Sequence, residues 1–184
     1  MRIPVLGMDP SLTNWGLAQT VLDLDTGIID DPVLELVSPK KITAKQVRQN
    51  STDLDVAQQL AEGILPFCKV AKAIFVEVPV GSQSARAMAS YGVCVGILGA
   101  VRAMGIQLIE VTATEVKLSL TGNRNATKEQ MIAKAVELYP GSNFPTHGGK
   151  ITQKAEHVAD AIGAIHAGVN TQAFQNIMRL LKGM

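Results

Sequence analysis

Three carboxylates and a histidine stand where this chain could do chemistry. Asp9 ends the apolar run Ile3 to Met8, and a polar turn separates it from a second apolar run, Leu17 to Leu22. The pattern is strand, acid, turn, strand, and open sheets place ligand sites at such strand ends. Turns are also rich in Asp, Pro, Ser and Asn for backbone reasons, so Asp9 alone reads equally well as a structural residue. Glu77 comes near the end of Ala73 to Val78, just before Pro79. A run apolar on both parities is the pattern of a parallel strand covered on both faces. A carboxylate there is costly unless it is paired or binds a metal. Asp160 lies on a C-terminal helical pattern beside Glu156 and His157. At 3.6 residues per turn, Val158, Ile162, Ile165 and Val169 form the apolar stripe, and Asp160 lies opposite it. Gly163, Ala164 and Ala167 continue that second face, and small residues around an acid let another surface approach closely.

The elements that must position these groups follow from the rest of the chain. Strands are predicted over Arg2 to Met8, Trp15 to Leu24, Val33 to Val37, Ala73 to Val78 and Gln107 to Val111. Pro4 lacks a ladder donor and belongs near a strand start or at an edge. The acids Asp23, Asp25, Asp30, Asp31 and Glu35 read as a solvated hairpin edge. Residues 38 to 53 are polar and carry Lys40, Lys41, Lys45 and Arg48, as a DNA-facing or a merely solvated loop would. Leu54, Ala57, Leu60, Ala61, Ile64, Leu65 and Cys68 recur at helical spacing, with Pro66 bending or shortening the end. Ser82 or Ser84 caps a small-residue helix that Gly105 ends. Thr112 to Glu115 and Thr127 to Gln130 are capping boxes, starting helices that end near Gly122 and Leu138. Residues 139 to 151 hold two prolines and three glycines and read as a mobile loop. Thr152 is placed to cap the helix from Gln153 to about Gly168, and Thr171 a final short one.

Length and composition suit one domain, spanning residues 1–184, with a real core. The apolar fraction of 47% is ordinary, and a net charge of +1 excludes neither DNA nor a small molecule. Cys68 and Cys94 lie in apolar helical patterns and read as reduced core residues, which suits a cytosolic protein. No secretory signal is visible. Ala87 to Met104 is apolar but rich in glycine and alanine, and it reads as a buried, closely packed helix rather than a membrane span.

The ordered set of motifs resembles the RuvC-type Holliday junction resolvases, phage members included, within the ribonuclease H-like superfold. Gly7-Met8-Asp9-Pro10 followed by Gly16 is similar to the family's first motif, and Val76-Glu77 to its second. Glu115-Val116-Lys117, Thr121-Gly122-Asn123 and Ala126-Thr127-Lys128-Glu129-Gln130 are similar to its basic segment, and His157-Val158-Ala159-Asp160-Ala161 to its closing motif. Many members carry Asp where His157 stands, and many carry a Phe in the region of Pro79 and Val80.

The resemblance implies an α/β fold: a ribonuclease H-like mixed five-stranded sheet flanked by helices. It implies a structure-selective endodeoxyribonuclease that resolves four-way junctions, and related forks and flaps, by paired nicks. Two Mg²⁺ ions, with Mn²⁺ as substitute, would activate water and stabilise the leaving oxygen. Asp9 would bridge them, Glu77 would hold one, and Asp160 with His157 the other. Glu156 competes with His157 for that role, since helical geometry allows either. Lys117, Arg124 and Lys128 would contact DNA, with Lys128 also able to stabilise transition-state charge in the site. Lys117 and Lys128 also read as ordinary solvated lysines. Thr112 to Lys154 holds six basic residues against three acidic ones. A homodimer through Ala85 to Ala103, touching at Tyr91, Val95 and Leu98, would match the two-fold symmetry of paired nicks. The location implied is the cytoplasm, or the host cytoplasm for a viral protein. The competing readings are a non-catalytic junction-binding module and a general ribonuclease H-like nuclease or exonuclease. An actin-like ATPase domain would need a second glycine-rich phosphate loop and about twice the length, on the organisation of that fold.

Overall fold

The computed structural model of the chain describes residues 1–40, 48–81 and 83–182. Lys41, Lys45 and Ser82, named above from the sequence, lie outside them. The apolar runs Ile3 to Met8 and Ala73 to Val78 form β1 (Arg2–Asp9) and β4 (Ala73–Glu77), which pair in parallel. β2 (Trp15–Asp23) runs antiparallel to β1, β3 (Val33–Val37) antiparallel to β2, and β5 (Leu108–Val111) parallel to β4. The result is a mixed five-stranded sheet in the order β3-β2-β1-β4-β5. Pro4 lies on the central strand, just before the parallel pairing begins at Val5, and its carbonyl accepts from Lys72 N–H. The β3 edge is closed by a side chain. The Asn143 amide accepts from Leu34 N–H at 2.7 Å and donates to Leu34 C=O at 2.9 Å, imitating a neighbouring strand.

One face of the sheet is covered by α1 (Gln49–Val70) and α2 (Ala85–Ala103). The row α1 buries is Val56, Leu60, Ile64 and Cys68; Leu54, expected in that row, is 71% exposed. Nor does Pro66 shorten the helix, which runs on to Val70. Pro66 and Glu62 lie on the exposed face, where water can meet the carbonyl freed by the missing N–H. Ser84 caps α2 by accepting from Ala87 N–H, and Gly105 ends it at φ +82°. The expectation that α2 is buried and closely packed fails. Only Cys94, Ile97, Leu98 and Val101 are buried, while Met88, Val95 and Met104 are exposed. Gly92, Gly96 and Gly99 meet nothing within 4 Å, because no described element covers that side. Both cysteines are free and buried, and burial pushes both thiols up to about 11. Among the described residues no helix is long and apolar enough to cross a membrane.

The other face carries α3 (Ala113–Thr121), α4 (Lys128–Leu138), α5 (Ala155–Gly168) and α6 (Gln172–Lys182). Both capping boxes form as read, and α3 ends at Gly122 with φ +75°. Residues 139 to 151 are not simply a loop. They contain a hairpin of β6 (Thr146–His147) and β7 (Lys150–Ile151). Thr152 does not cap α5, because its hydroxyl donates to Pro145 C=O instead. Thr171 does cap α6, accepting from Phe174 N–H.

α5 is the inner helix of this layer. Instead of one apolar stripe it buries ten of its fourteen residues, with the sheet on one side and α3 and α4 on the other. That sandwiching is possible only where small residues meet. A Cβ on Gly7 would stand 2.0 Å from the Ala161 carbonyl oxygen, and one on Gly16 would stand 2.1 Å from that of His157. A Cβ on Gly163 would stand 2.8 Å from Val116. Helix backbone therefore lies directly on strand backbone, with no side chain between to yield. Gly7→Ala and Gly16→Ala are each expected to cost about 3 kcal/mol or more, the upper range for overpacking, since the obstructing atoms are backbone. Urea unfolding of the two variants checks this; wild-type midpoints would contradict the contact.

Candidate active site

Strand alternation aims the two sheet acids at α5. Val5, Gly7 and Asp9 share one face of β1, and Ala73, Phe75 and Glu77 the same face of β4. Gly7 abuts Ala161 and Phe75 abuts Gly168, which fixes that face as the α5 side. The parallel pairing between the two strands ends at Met8 and Val76, so Asp9 and Glu77 stand side by side at adjacent strand ends.

α5 brings the remaining groups to that edge. His157 Nδ1 lies 2.7 Å from Asp9 Oδ2, with both side chains less than one-fifth exposed. With the carboxylate as acceptor, Nδ1 carries the proton and the neutral ring keeps its lone pair on Nε2. Glu156 lies between the imidazole and Lys128. Its Oε2 pairs with Lys128 Nζ at 2.7 Å, and its Oε1 stands 3.6 Å from His157 Nε2. Asp160, nearly one turn further on, faces the charges of Asp9 and Glu77.

The charges are crowded and only partly offset. Burial, then the charges of Asp9, Glu77 and Glu156, push the Asp160 carboxyl up to about 8. Burial, then Asp9, push Glu77 up to about 7, against a counter-pull from Lys117. Burial alone would lower His157, but its hydrogen bond to Asp9 and the charges of Asp9, Glu156 and Asp160 outweigh it and raise it. Asp9 also lifts the buried Cys94 thiol on the opposite face.

Asp9, Glu77, His157 and Asp160 thus meet at one edge, as the sequence suggested. Lys128 joins them through Glu156, its ammonium also feeling Asp160, and Lys117 acts on Glu77 through its charge. Arg124 sits exposed in the turn between α3 and α4, with no described contact to the cluster. The Lys128–Glu156 pair was missed from sequence. Its signal was only that a lysine at one helix start and a glutamate at another belong to helices that pack together. Among the described residues, no three such side chains already close on one point as a finished metal cage. The largest cleft described, about 640 Å³ between the end of the β2 hairpin and α6, holds none of these groups.

The crowding has a consequence for stability. Asp160 is protonated more readily in the folded chain than near its unfolded value of 3.8, so folding takes up a proton between these limits. In EDTA, stability should therefore fall as pH rises from about 4 to about 8. Asp160→Asn should be more stable than wild type at pH 8 by roughly 2–4 kcal/mol, allowing for coupling to Glu77, and the gain should vanish near pH 4. Denaturant melts at the two pH values check it; an Asn variant less stable at pH 8 would contradict the crowding.

No family model and no curated protein matches this sequence. Solved structures do match. Thermus thermophilus RuvC in complex with Holliday junction substrate aligns at TM-score 0.61 and 19% identity, over 95% of this chain and 96% of that one. A second structure of Thermus thermophilus RuvC aligns at TM-score 0.59 and 20% identity, over 97% of each chain. At such identity the likeness speaks for architecture, and it runs nearly end to end: the chain has the ribonuclease H-like fold in the form found in the RuvC resolvases.

Proposed function

We propose that this protein is a metal-dependent, structure-selective endodeoxyribonuclease that resolves Holliday junctions and related branched DNA by paired nicks. The observation carrying this reading is the convergence of Asp9, Glu77 and Asp160 with His157 at one edge of a RuvC-like sheet. The matched RuvC was solved with a Holliday junction substrate, which supports branched DNA as the partner here. An open strand-end edge also suits a long polymer better than an enclosed cavity would.

The donor set fits a hard divalent cation. Burial and neighbouring carboxylates raise the proton affinity of Asp160 and Glu77, and hard oxygen donors are what Mg²⁺ and Mn²⁺ prefer. Asp9, Glu77 and Asp160 would hold the metal, with His157 offering Nε2. Bound Mg²⁺ supplies an activated water and offsets charge on the leaving oxygen. The chain's own part is positioning. The Nδ1 proton of His157 fixes the Asp9 carboxylate, Glu156 tethers the Lys128 ammonium beside the acids, and Lys128 and Lys117 set positive charge where a phosphate would arrive. Arg124 extends the basic surface along the α3–α4 turn.

The test is incubation with a four-way junction, a fork, a flap and linear duplex, with Mg²⁺, with Mn²⁺ and with neither. Paired metal-dependent nicks in the junction and none in duplex are expected. Asp9→Asn and Glu77→Gln should each lose at least about 100-fold in rate, on the scale of removing groups that act in the transition state, yet bind junction within a few-fold. Full cleavage by either variant overturns the site assignment. Tight junction binding by the native chain without cleavage in either metal identifies a non-catalytic module.

Paired nicks imply a two-fold assembly, and the open side of α2 is our candidate interface. It presents Met88, Val95 and the open backbone of Gly92, Gly96 and Gly99. Leu98, named from the sequence as a contact, is 5% exposed and belongs to the core. Val95→Glu should turn a dimer into a monomer in light scattering at micromolar concentration. A native chain that is monomeric with and without DNA would remove this interface.

A further inference from the structure

The β6–β7 hairpin has no role in the core and none in the acid cluster. Every residue from Thr146 to Ile151 is exposed. Its tip is Gly148-Gly149, both at positive φ, +58° and +75°, a two-residue turn that matches strand twist and presents bare backbone. Its base, by contrast, is fixed. Phe144 is buried, the Asn143 amide grips both backbone groups of Leu34, and Pro145 C=O accepts from both the N–H and the hydroxyl of Thr152. Connections this long in a packed domain commonly carry function.

What this arm carries is positive charge along the stretch that leads into α5. Register sets His147 opposite Lys150, and Lys154 is the N-cap residue of α5, three residues before His157. Lys150 and Lys154 are exposed, and neither is in an ion pair among the described residues. Ile151, Thr152 and Gln153 face Glu129 and Ile132 of α4 across a shallow cleft, which sets this arm beside the helix whose first residue is Lys128. An exposed cation without a protein partner costs nothing in water and gains when it displaces counterions from a phosphate chain.

We propose that the β6–β7 arm is a DNA-binding finger: Lys150 and Lys154 grip the phosphate backbone of a duplex arm beside the cut, and the Gly-Gly tip lets it approach closely. This rests on the reading of the protein as a branched-DNA nuclease. The closing experiment measures junction binding in EDTA, where no metal-dependent cleavage occurs, across a salt series. Lys150→Ala/Lys154→Ala should weaken binding of order tenfold at low salt and reduce the slope of log affinity against log salt by roughly 2, one counterion per lysine. Lys69→Ala/Lys72→Ala, at the opposite end of the parallel strands, should change neither. Thermal melts of both variants should match wild type, since all four side chains are exposed. Wild-type affinity and slope in Lys150→Ala/Lys154→Ala overturn the finger while leaving the nuclease reading intact. A parent chain that binds no branched DNA overturns both.

Discussion

The structure depends on a backbone-to-backbone contact. α5 rests on β1 and β2 through Gly7 and Gly16, where the carbonyls of Ala161 and His157 occupy the space a Cβ would need. Ordinary helix-on-sheet packing interposes side chains that can change rotamer and absorb small shifts. Here none are interposed, so the height of α5 above the sheet is set by bonded geometry. His157 leaves α5 at the residue whose carbonyl touches Gly16, and Gly16 is the register partner of Asp9. The 2.7 Å hydrogen bond between Asp9 and His157 is thus the side-chain expression of a contact already made by the main chain.

That rigidity lets the fold hold unfavourable electrostatics in place. Three carboxylates at one edge repel, and two of them are held well above the ordinary carboxylate range by burial and by each other. A looser scaffold would relax by swinging them into water. Asp9 and Glu77 cannot swing far because each is itself paired at its strand's end, Asp9 with Gly16 and Glu77 with Val111, and Asp160 sits on a helix buried on both sides. The partial offset comes from Lys117 on α3 and Lys128 on α4. The same two helices form the outer wall of α5, so packing and charge balance share one set of elements.

Much of this was legible in the sequence because it is periodic. The acids at strand ends, the two capping boxes and the C-terminal helix bearing Asp160 each leave a local pattern. What was not legible depends on neighbours distant in the chain. The hydrophobicity of Leu54 argued for burial, but the row facing the sheet is fixed by what α1 packs against. Ala85 to Ala103 is apolar enough to be buried, yet nothing described covers its outer side. Glu156 and His157 are adjacent and on the same side of the helix as Asp160; only the positions of Asp9 and Lys128 decide which partner each one takes. The β6–β7 hairpin has two-residue strands, too short for any alternation to register, and its glycines and prolines signal a turn without its arms. Gly7 and Gly16 were noticed as motif letters, but their function as contact points required the helix to be in place.

The grouped acids come from three stretches of chain that are far apart: the end of β1, the end of β4, and α5. During synthesis the first two emerge before α5 and stay hydrated, like any exposed carboxylates. Only when the helix carrying His157 clears the ribosome and docks does the crowded edge exist. In a chain of this design the crowded cluster therefore forms in a single docking step rather than by gradual accumulation.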